Sequence, residues 1–351
     1  MTIYVYPADT DGCGSYRLIW PAQELIRRGH DIKLVLPKDR QNISARIRPD
    51  GTLDEVFVPD DAELLVMQRV SHKHLADSIP LIRSRGIAVV IDMDDDLSNI
   101  HPYNPGWLNF HPKSGLPQTK TNDHNWVNAQ RACEAASLVT VSASALVQRY
   151  ANHGRYEILR NCVPASYLDI EHNDSDVFGW GGSLASHPTD LNVLGLTVTQ
   201  LQRDGYRFKI IGSPTGIKQT LRLDEEPETS DIVAITEWPK VLSSLGVGLA
   251  PLDDNVFNKS KSWLKPLEYA AVGVPMIMSP RLEYEMFVKT LKIGTIASKP
   301  ADWKRKIKAM LDSPDMRAEQ SALGRIAAAK WTYESKADLW WTAWQRALKL
   351  R

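Results

Sequence analysis

The sequence predicts an α/β protein made of two Rossmann-like lobes, each with a mostly parallel sheet, facing a cleft between them. Three observations carry this. Short apolar, β-branched runs alternate with helical patterns along most of the chain, the pattern of strands covered on both faces. The alternation stops at a polar stretch near mid-chain and then restarts. A length of 351 residues is that of two domains at roughly 150 residues each.

Taken in order, TIYVYP (2–7) reads as a strand and SYRLIWPAQELIRRG (15–29) as a helix despite Pro21. DIKLVLP (31–37) and ELLVMQR (63–69) are strands, followed by a helix around 74–85 and the strand IAVVIDM (87–93). SLVTVS (137–142), a short helix through Tyr150 and RYEILRN (155–161) complete the first lobe. Residues 98–125, rich in proline, read as one long loop, and loops of that length are usually functional. The polar segment 161–176 reads as the linker. After it come the strand DVFGWGGS (176–183), a helix over 189–205 and the strand YRFKIIGS (206–213). DIVAI and VGLAPLDD, a helix over 261–273 and the strand VPMIMSP (274–280) follow. The expected domains are 1–165 and 166–330, with a Trp-rich C-terminal helix over 331–351.

Composition narrows the function. Lys plus Arg (42) equals Asp plus Glu (42), so the chain offers no broad cationic face for nucleic acid or anionic membrane, though a local phosphate site remains open. Three cysteines without C-x-x-C spacing make neither a disulfide framework nor a thiol-rich metal site. The N-terminus lacks a basic n-region with an apolar h-region, and no window approaches 18 apolar residues. A cytoplasmic protein with no transmembrane segment is expected. Eleven tryptophans outnumber six phenylalanines, and Trp331, Trp340, Trp341 and Trp344 crowd the C-terminus.

Three stretches carry chemistry. Gly12 and Gly14 stand between the first strand and its helix, where glycines let the backbone approach a ligand and a helix start favours an anion. The alternative is a tight turn with no ligand. Asp92 and Asp94 open an acidic run, Asp92–Asp96, at a strand's carboxyl end, where α/β folds place their chemistry. The run can bind substrate hydroxyls and accept a proton, hold Mg²⁺ or Mn²⁺, or simply start a helix. A haloacid-dehalogenase-like phosphatase wants Thr where Asp96 stands. The third stretch is 246–280, where Lys261, Ser262, Lys265 and Glu268 lead into and along a helix. Lysines at a helix start suit a diphosphate, and a glutamate accepts hydrogen bonds from a ribose diol.

This last segment resembles the donor-site motif of two-lobed GT-B fold glycosyltransferases, and most closely the retaining family 4 in its bacterial and phage-encoded branch. Glu268 stands at the second Glu of that family's E-x7-E, and Ala271-Val272-Gly273-Val274-Pro275 matches its A-x-G-x-P tail. Ser260 takes the place of the first Glu. GCGSYRLIWPAQELIRRGHDIKLV resembles the first glycine loop and helix, and GWGGSLASHPTDL the opening of the second lobe. The resemblance implies transfer of a hexosyl or pentosyl group from a nucleotide-diphosphate sugar, such as a UDP- or GDP-sugar, to an acceptor hydroxyl, with retention. Gly12, Gly14, Gly182, Ser183, His187, Lys261, Ser262, Lys265 and Glu268 become the expected donor-binding residues. Asp92 and Asp94 lie nearest the place of the family's first-lobe histidine and are the expected catalytic pair. No tightly bound cofactor and no divalent metal is expected. In this fold the last helix packs back on the first, acceptor-binding lobe. The expected acceptor is a protein or carbohydrate, with action in the cytoplasm (the host's, if phage-encoded). Two alternatives stand beside it: a DNA glycosyltransferase acting on a hydroxymethylated pyrimidine, and a nucleotide-sugar-binding or epimerase-like protein without transferase activity.

Overall fold

Runs such as Leu64–Gln68, Ala88–Met93 and Leu138–Val141 are apolar apart from one polar residue each, Gln68, Asp92 and Thr140, because every side chain in them is buried. A strand covered by helices on both faces has no wet side, so hydrophobic alternation disappears. The computed structural model describes residues 1–39, 43–111 and 124–351. It divides into two units. Unit 1 comprises Met1–Pro102, Gly106–Asn161 and Tyr333–Arg351; unit 2 comprises Tyr103–Pro105 and Cys162–Thr332.

In unit 1 the strands are β1 (Ile3–Tyr6), β2 (Ile32–Leu34), β3 (Ser44–Ile47), β4 (Leu53–Phe57), β5 (Leu64–Gln68), β6 (Ala88–Met93), β7 (Leu138–Val141) and β8 (Tyr156–Ile158). Six of them form a parallel sheet in the order β2-β1-β5-β6-β7-β8. The pair β3–β4 is a separate antiparallel hairpin, which no local pattern announces because β3 is exposed along its length. The stretch 98–125 is not one continuous loop. It contains a 3₁₀ turn at Leu97–Asn99 and a short helix at Trp107–Phe110, and a helix begins at Asn125. Its residues 112–123 lie outside the described residues.

Pro21 is accommodated by an unusual device. The helix it sits in starts at Gly12, passes through a π segment at Ser15–Ile19 and continues as α-helix over Trp20–Arg27. Proline has no N–H to give, so it orphans the Arg17 carbonyl in α register and the Tyr16 carbonyl in π register. Both receive donors from the C-terminal helix Tyr333–Leu348. The Tyr333 hydroxyl donates to Tyr16 O, and Trp340 Nε1 donates to Arg17 O at 3.0 Å. Tyr333 and Trp340 are buried and pack edge-on at 5.6 Å between ring centroids. The last helix is thus part of the unit 1 core. Trp340→Phe keeps most of the ring but leaves Arg17 O unpaired, so a loss of ~1–3 kcal/mol is expected in urea unfolding.

In unit 2 the strands are β9 (Val177–Gly181), β10 (Arg207–Ile211), β11 (Glu228–Ser230), β12 (Val247–Ala250), β13 (Met276–Met278) and β14 (Thr295–Ile296). All are parallel, in the order β11-β10-β9-β12-β13-β14. Phe178, Trp180, Phe208 and Trp303 centre its core. Two elements differ from expectation. DIVAI is not a strand: the edge strand is the polar β11 just before it, and Ile232 is exposed. The helix expected over 189–205 is a 3₁₀ turn, Asp190–Leu194, then a helix, Thr197–Arg203, broken at Gly195–Leu196. Among the described residues no helix is long and apolar enough to cross a membrane.

Candidate active site

The unit 2 sheet reverses direction between β9 and β12: β10 and β11 extend one way from β9, and β13 and β14 the other way from β12. Ligands of open α/β sheets bind at the carboxyl ends beside such a reversal. Gly181-Gly182-Ser183 leave β9 there. The eight-residue helix Leu264–Ala271 carries Lys265, Glu268 and Tyr269. Lys265 Nζ donates to Gly181 O and lies 6.0 Å from the Trp180 ring centroid. The Tyr269 hydroxyl donates to Leu249 O at 3.2 Å and accepts from Gly181 N at 3.3 Å, tying β12 to β9. Glu268, almost fully buried, accepts from Trp238 Nε1 at 3.1 Å. Gly182 has no room for a side chain, since a Cβ there would lie 2.6 Å from the Trp180 ring.

The loop after Gly182 is organised by one carboxylate. Asp190, 2% exposed, takes His187 Nδ1 at 2.7 Å, Asn258 Nδ2 at 2.5 Å and the Asp253 backbone N–H at 3.0 Å. Burial works against the Asp190 charge, but the bond from His187 and the other donors hold its pKa below the usual carboxylate value. His187 is pushed down by burial and by Lys261 and Lys265, against the pull of Asp190. The neutral imidazole therefore keeps its proton on Nδ1, facing Asp190, and presents Nε2 as an acceptor. Burial, assisted by Lys261, also lowers the Lys265 pKa, against Glu268 and Asp190. Lys261 Nζ stands 4.4 Å from the Phe257 ring centroid, and Ser262 is half-buried beside it. The Ser260 hydroxyl closes its own turn on Phe257 O at 2.7 Å.

Seven expected donor residues, Gly182, Ser183, His187, Lys261, Ser262, Lys265 and Glu268, thus belong to unit 2; Gly12, Gly14, Asp92 and Asp94 belong to unit 1. Gly14 is glycine for an internal reason. A Cβ would sit 1.9 Å from Asp9 O, while Gly14 N donates to Asp9 Oδ1 at 2.8 Å. Gly12 faces open space. Asp92, at 0% exposure, is held by Arg17 through Nε–Oδ1 at 3.0 Å and Nη2–Oδ2 at 2.8 Å, and by the Thr140 hydroxyl at 2.6 Å. Burial opposes the Arg17 charge, yet Asp92 more than offsets it and keeps the guanidinium pKa above its ordinary value. Asp94 and Asp95 pair with Arg69, and Asp96 with Arg149. Among the described residues no group of three or more His, Cys, Asp or Glu side chains is arranged to hold a metal ion.

Sequence patterns do not single out Asp190, Trp238 or Tyr269. For Asp190 a signal exists, the i,i+3 spacing from His187 just after the glycine turn. Trp238 and Tyr269 reach the site through tertiary packing, which local patterns do not record.

Residues 196–341 match a family model described as glycosyl transferase-like. No curated protein matches the chain in sequence. Among solved structures, a glycosyltransferase from Rickettsia africae is similar over 99% of this chain and 98% of its own, with 10% identity and a TM-score of 0.60. HepE from Anabaena, solved in complex with UDP, is similar over 95% and 96%, with 13% identity and a TM-score of 0.58. Sucrose-phosphate synthase from Thermosynechococcus elongatus is similar over the full length of both chains, with 11% identity and a TM-score of 0.63. The chain therefore shares a two-lobed GT-B fold with these structures, and over 196–341 it is glycosyl transferase-like in sequence.

Proposed function

We propose that the protein is a glycosyltransferase that moves a sugar from a nucleoside diphosphate sugar to an acceptor hydroxyl. The observation that carries this is Lys265 and Glu268, one turn apart on a helix at the β9/β12 reversal, with the loop Gly182–His187 opposite. Glu268 accepts the ribose hydroxyls. Lys265, Lys261 and the Ser183 and Ser262 hydroxyls donate to the diphosphate, while His187 Nε2 accepts from a donor hydroxyl. The bond from the sugar's anomeric carbon to the phosphate oxygen breaks, and a bond to the acceptor oxygen forms. The acceptor proton passes to the departing diphosphate, whose growing charge meets fixed cations.

Asp92 and Asp94 act in this reading as positioning groups, since each is engaged by an arginine. The match of Glu268 and Ala271–Pro275 to the retaining family 4 motif supports retention, and it supports the cytoplasm, where nucleotide sugars are made, as the site of action. The UDP bound to HepE makes UDP-sugars the first donors to test. Incubation with UDP-, GDP-, ADP-, dTDP- and CDP-sugars and a panel of acceptor alcohols should release one nucleoside diphosphate and add one glycosyl mass to an acceptor. Interconversion of the donor with no acceptor gaining mass would instead establish the epimerase-like alternative.

The pH dependence of binding follows from Lys265. Its pKa is depressed from the ordinary 10.5 in the free protein, and a bound diphosphate restores the proton. UDP affinity should therefore fall as pH rises through the depressed value, below the ordinary 10.5. Calorimetry of Lys265→Met across that window should show a flat profile; a wild-type slope in that variant would refute the assignment.

A further inference from the structure

The helix Leu282–Leu291 starts at the carboxyl end of β13, the strand next to β12. Its N-cap residue is Arg281, which is half-buried. Arg281 Nε donates to Asp253 O at 3.1 Å and Nη1 to Pro280 O at 2.8 Å. The N–H of Asp253 holds Asp190, so the guanidinium is bonded to the loop that closes the donor site. Tyr284, one turn further along the helix, faces the same place. Burial pushes its phenol up, and Asp190, Tyr269 and Glu268 lie near enough to push it further. Bonds to two carbonyls fix the Arg281 guanidinium without answering its charge. Among the described residues no carboxylate pairs with it. Glu285, four residues on, bonds the Arg281 carbonyl through its backbone N–H alone. The acids of the neighbouring loop are engaged elsewhere: Asp190 takes three donors, and Asp254 lies 3.9 Å from Lys259. Arg281 Nη2 has no partner among the described residues, and it is not shut off from solvent.

We infer that Arg281 binds a carboxylate on the transferred sugar, so that the donor is a nucleoside diphosphate uronic acid. The inference rests on the donor reading above and adds the class of sugar to it. In that reading Glu268 holds the ribose, and Lys265 and Lys261 hold the diphosphate, each one turn nearer the start of their helix. The sugar comes next, at the loop 253–260 that precedes the helix and that Arg281 holds. Nε is committed to Asp253 O, which leaves Nη2 and the second hydrogen of Nη1 as an edge for a planar carboxylate. Anchored by two bonds already, the fork loses little freedom on binding. A neutral hexose brings hydroxyls but no charge to a guanidinium half-withdrawn from water, whereas a carboxylate brings both. The diphosphate has its own donors and makes no claim on Arg281.

The test is calorimetric binding to the full chain. Free UDP, GDP, ADP, dTDP and CDP identify the base, and the uronate and neutral sugars of that nucleotide are then compared, UDP-glucuronic acid beside UDP-glucose in the uridine case. The uronate should bind roughly ten- to a hundredfold more tightly, the span of a hydrogen bond to a charged group. Arg281→Gln should abolish that ratio, and Arg281→Lys, which keeps the charge without the fork, should keep part of it. Affinity for the free nucleoside diphosphate should be unchanged in both variants and reports that unit 2 is folded. A neutral sugar bound as tightly as its uronate, or a ratio that survives Arg281→Gln, overturns the proposal. Equal losses of both sugars and of the free nucleotide in that variant reduce Arg281 to a structural brace and overturn it too. If glycerol 3-phosphate binds the nucleotide-loaded wild type and not Arg281→Gln while the donor ratio is unmoved, the anion belongs to the acceptor and the proposal falls. A free nucleotide that binds with no advantage for its uronate leaves the donor reading standing and removes only the proposal. No binding by any of the five removes both.

Discussion

Lys265→Ala should weaken UDP binding by ~2–3 kcal/mol, roughly 30- to 150-fold, the range of a buried hydrogen bond to a charged group. The lysine is partly withdrawn from water, close to the Trp180 ring and bonded to Gly181 O. Its charge therefore acts in a low dielectric and is little screened by salt. Affinity for uridine, which has no phosphate, should change far less, because the proposed partner of the ribose is Glu268 and not Lys265. Equal losses for UDP and uridine would show that the variant had disturbed the helix Leu264–Ala271 as a whole. Glu268→Ala supplies the converse. It should weaken UDP and uridine alike, and it leaves Trp238 Nε1 without the acceptor it has now.

Asp92→Asn should destabilise the protein by ~3–5 kcal/mol, because it leaves the buried Arg17 guanidinium without its counter-ion. At the ~2–4 °C per kcal/mol typical of a domain this size, the transition of unit 1 should fall by about 10 °C. Arg17 also donates to Asn161 Oδ1 at 2.7 Å and to Leu159 O at 2.5 Å, so one guanidinium holds the first helix, β6 and the end of the unit together. Replacing both partners, as Arg17→Met with Asp92→Leu, removes both charges and should recover much of the loss. The outcome separates two roles for Asp92. A catalytic base would leave an Asn variant with wild-type thermal stability and a collapsed kcat, whereas a buried counter-ion gives the melting change first.

Much of the fold was legible because parallel strands buried on both faces leave largely apolar runs, and β5, β6, β7 and β9 are such runs. Where an element lacks that cause, the sequence is silent: β11 is Glu-Thr-Ser at a sheet edge, and the neighbouring apolar DIVAI misleads. Lys265 and Glu268 could be picked out because one helical turn brings them together in sequence as well as in space. The Arg17–Asp92 pair could not, since its members stand 75 residues apart and meet only through the sheet. Read locally, Asp92 is an acid at a strand end; its partner makes it part of the core. The C-terminal tryptophans divide in the same way. Trp340 and Trp344 are buried in unit 1, while Trp331 packs on Trp263 of unit 2 at 4.6 Å between centroids. Residues 15–29 read as a helix despite Pro21. The helix survives because donors more than 300 positions away in sequence replace the bonds the proline removes.

The central claim, that unit 2 binds a nucleoside diphosphate sugar through Lys265 and Glu268, is tested most directly by thermal shift. UDP-, GDP-, ADP-, dTDP- and CDP-sugars would be compared on the wild-type chain and on the Lys265→Ala/Glu268→Ala double variant. At least one donor should raise the wild-type melting temperature, by the ~2.7 kcal/mol of stabilisation expected at a hundredfold excess over Kd, and leave the double variant unmoved. No shift from any of the five, or the same shift in both proteins, would contradict it.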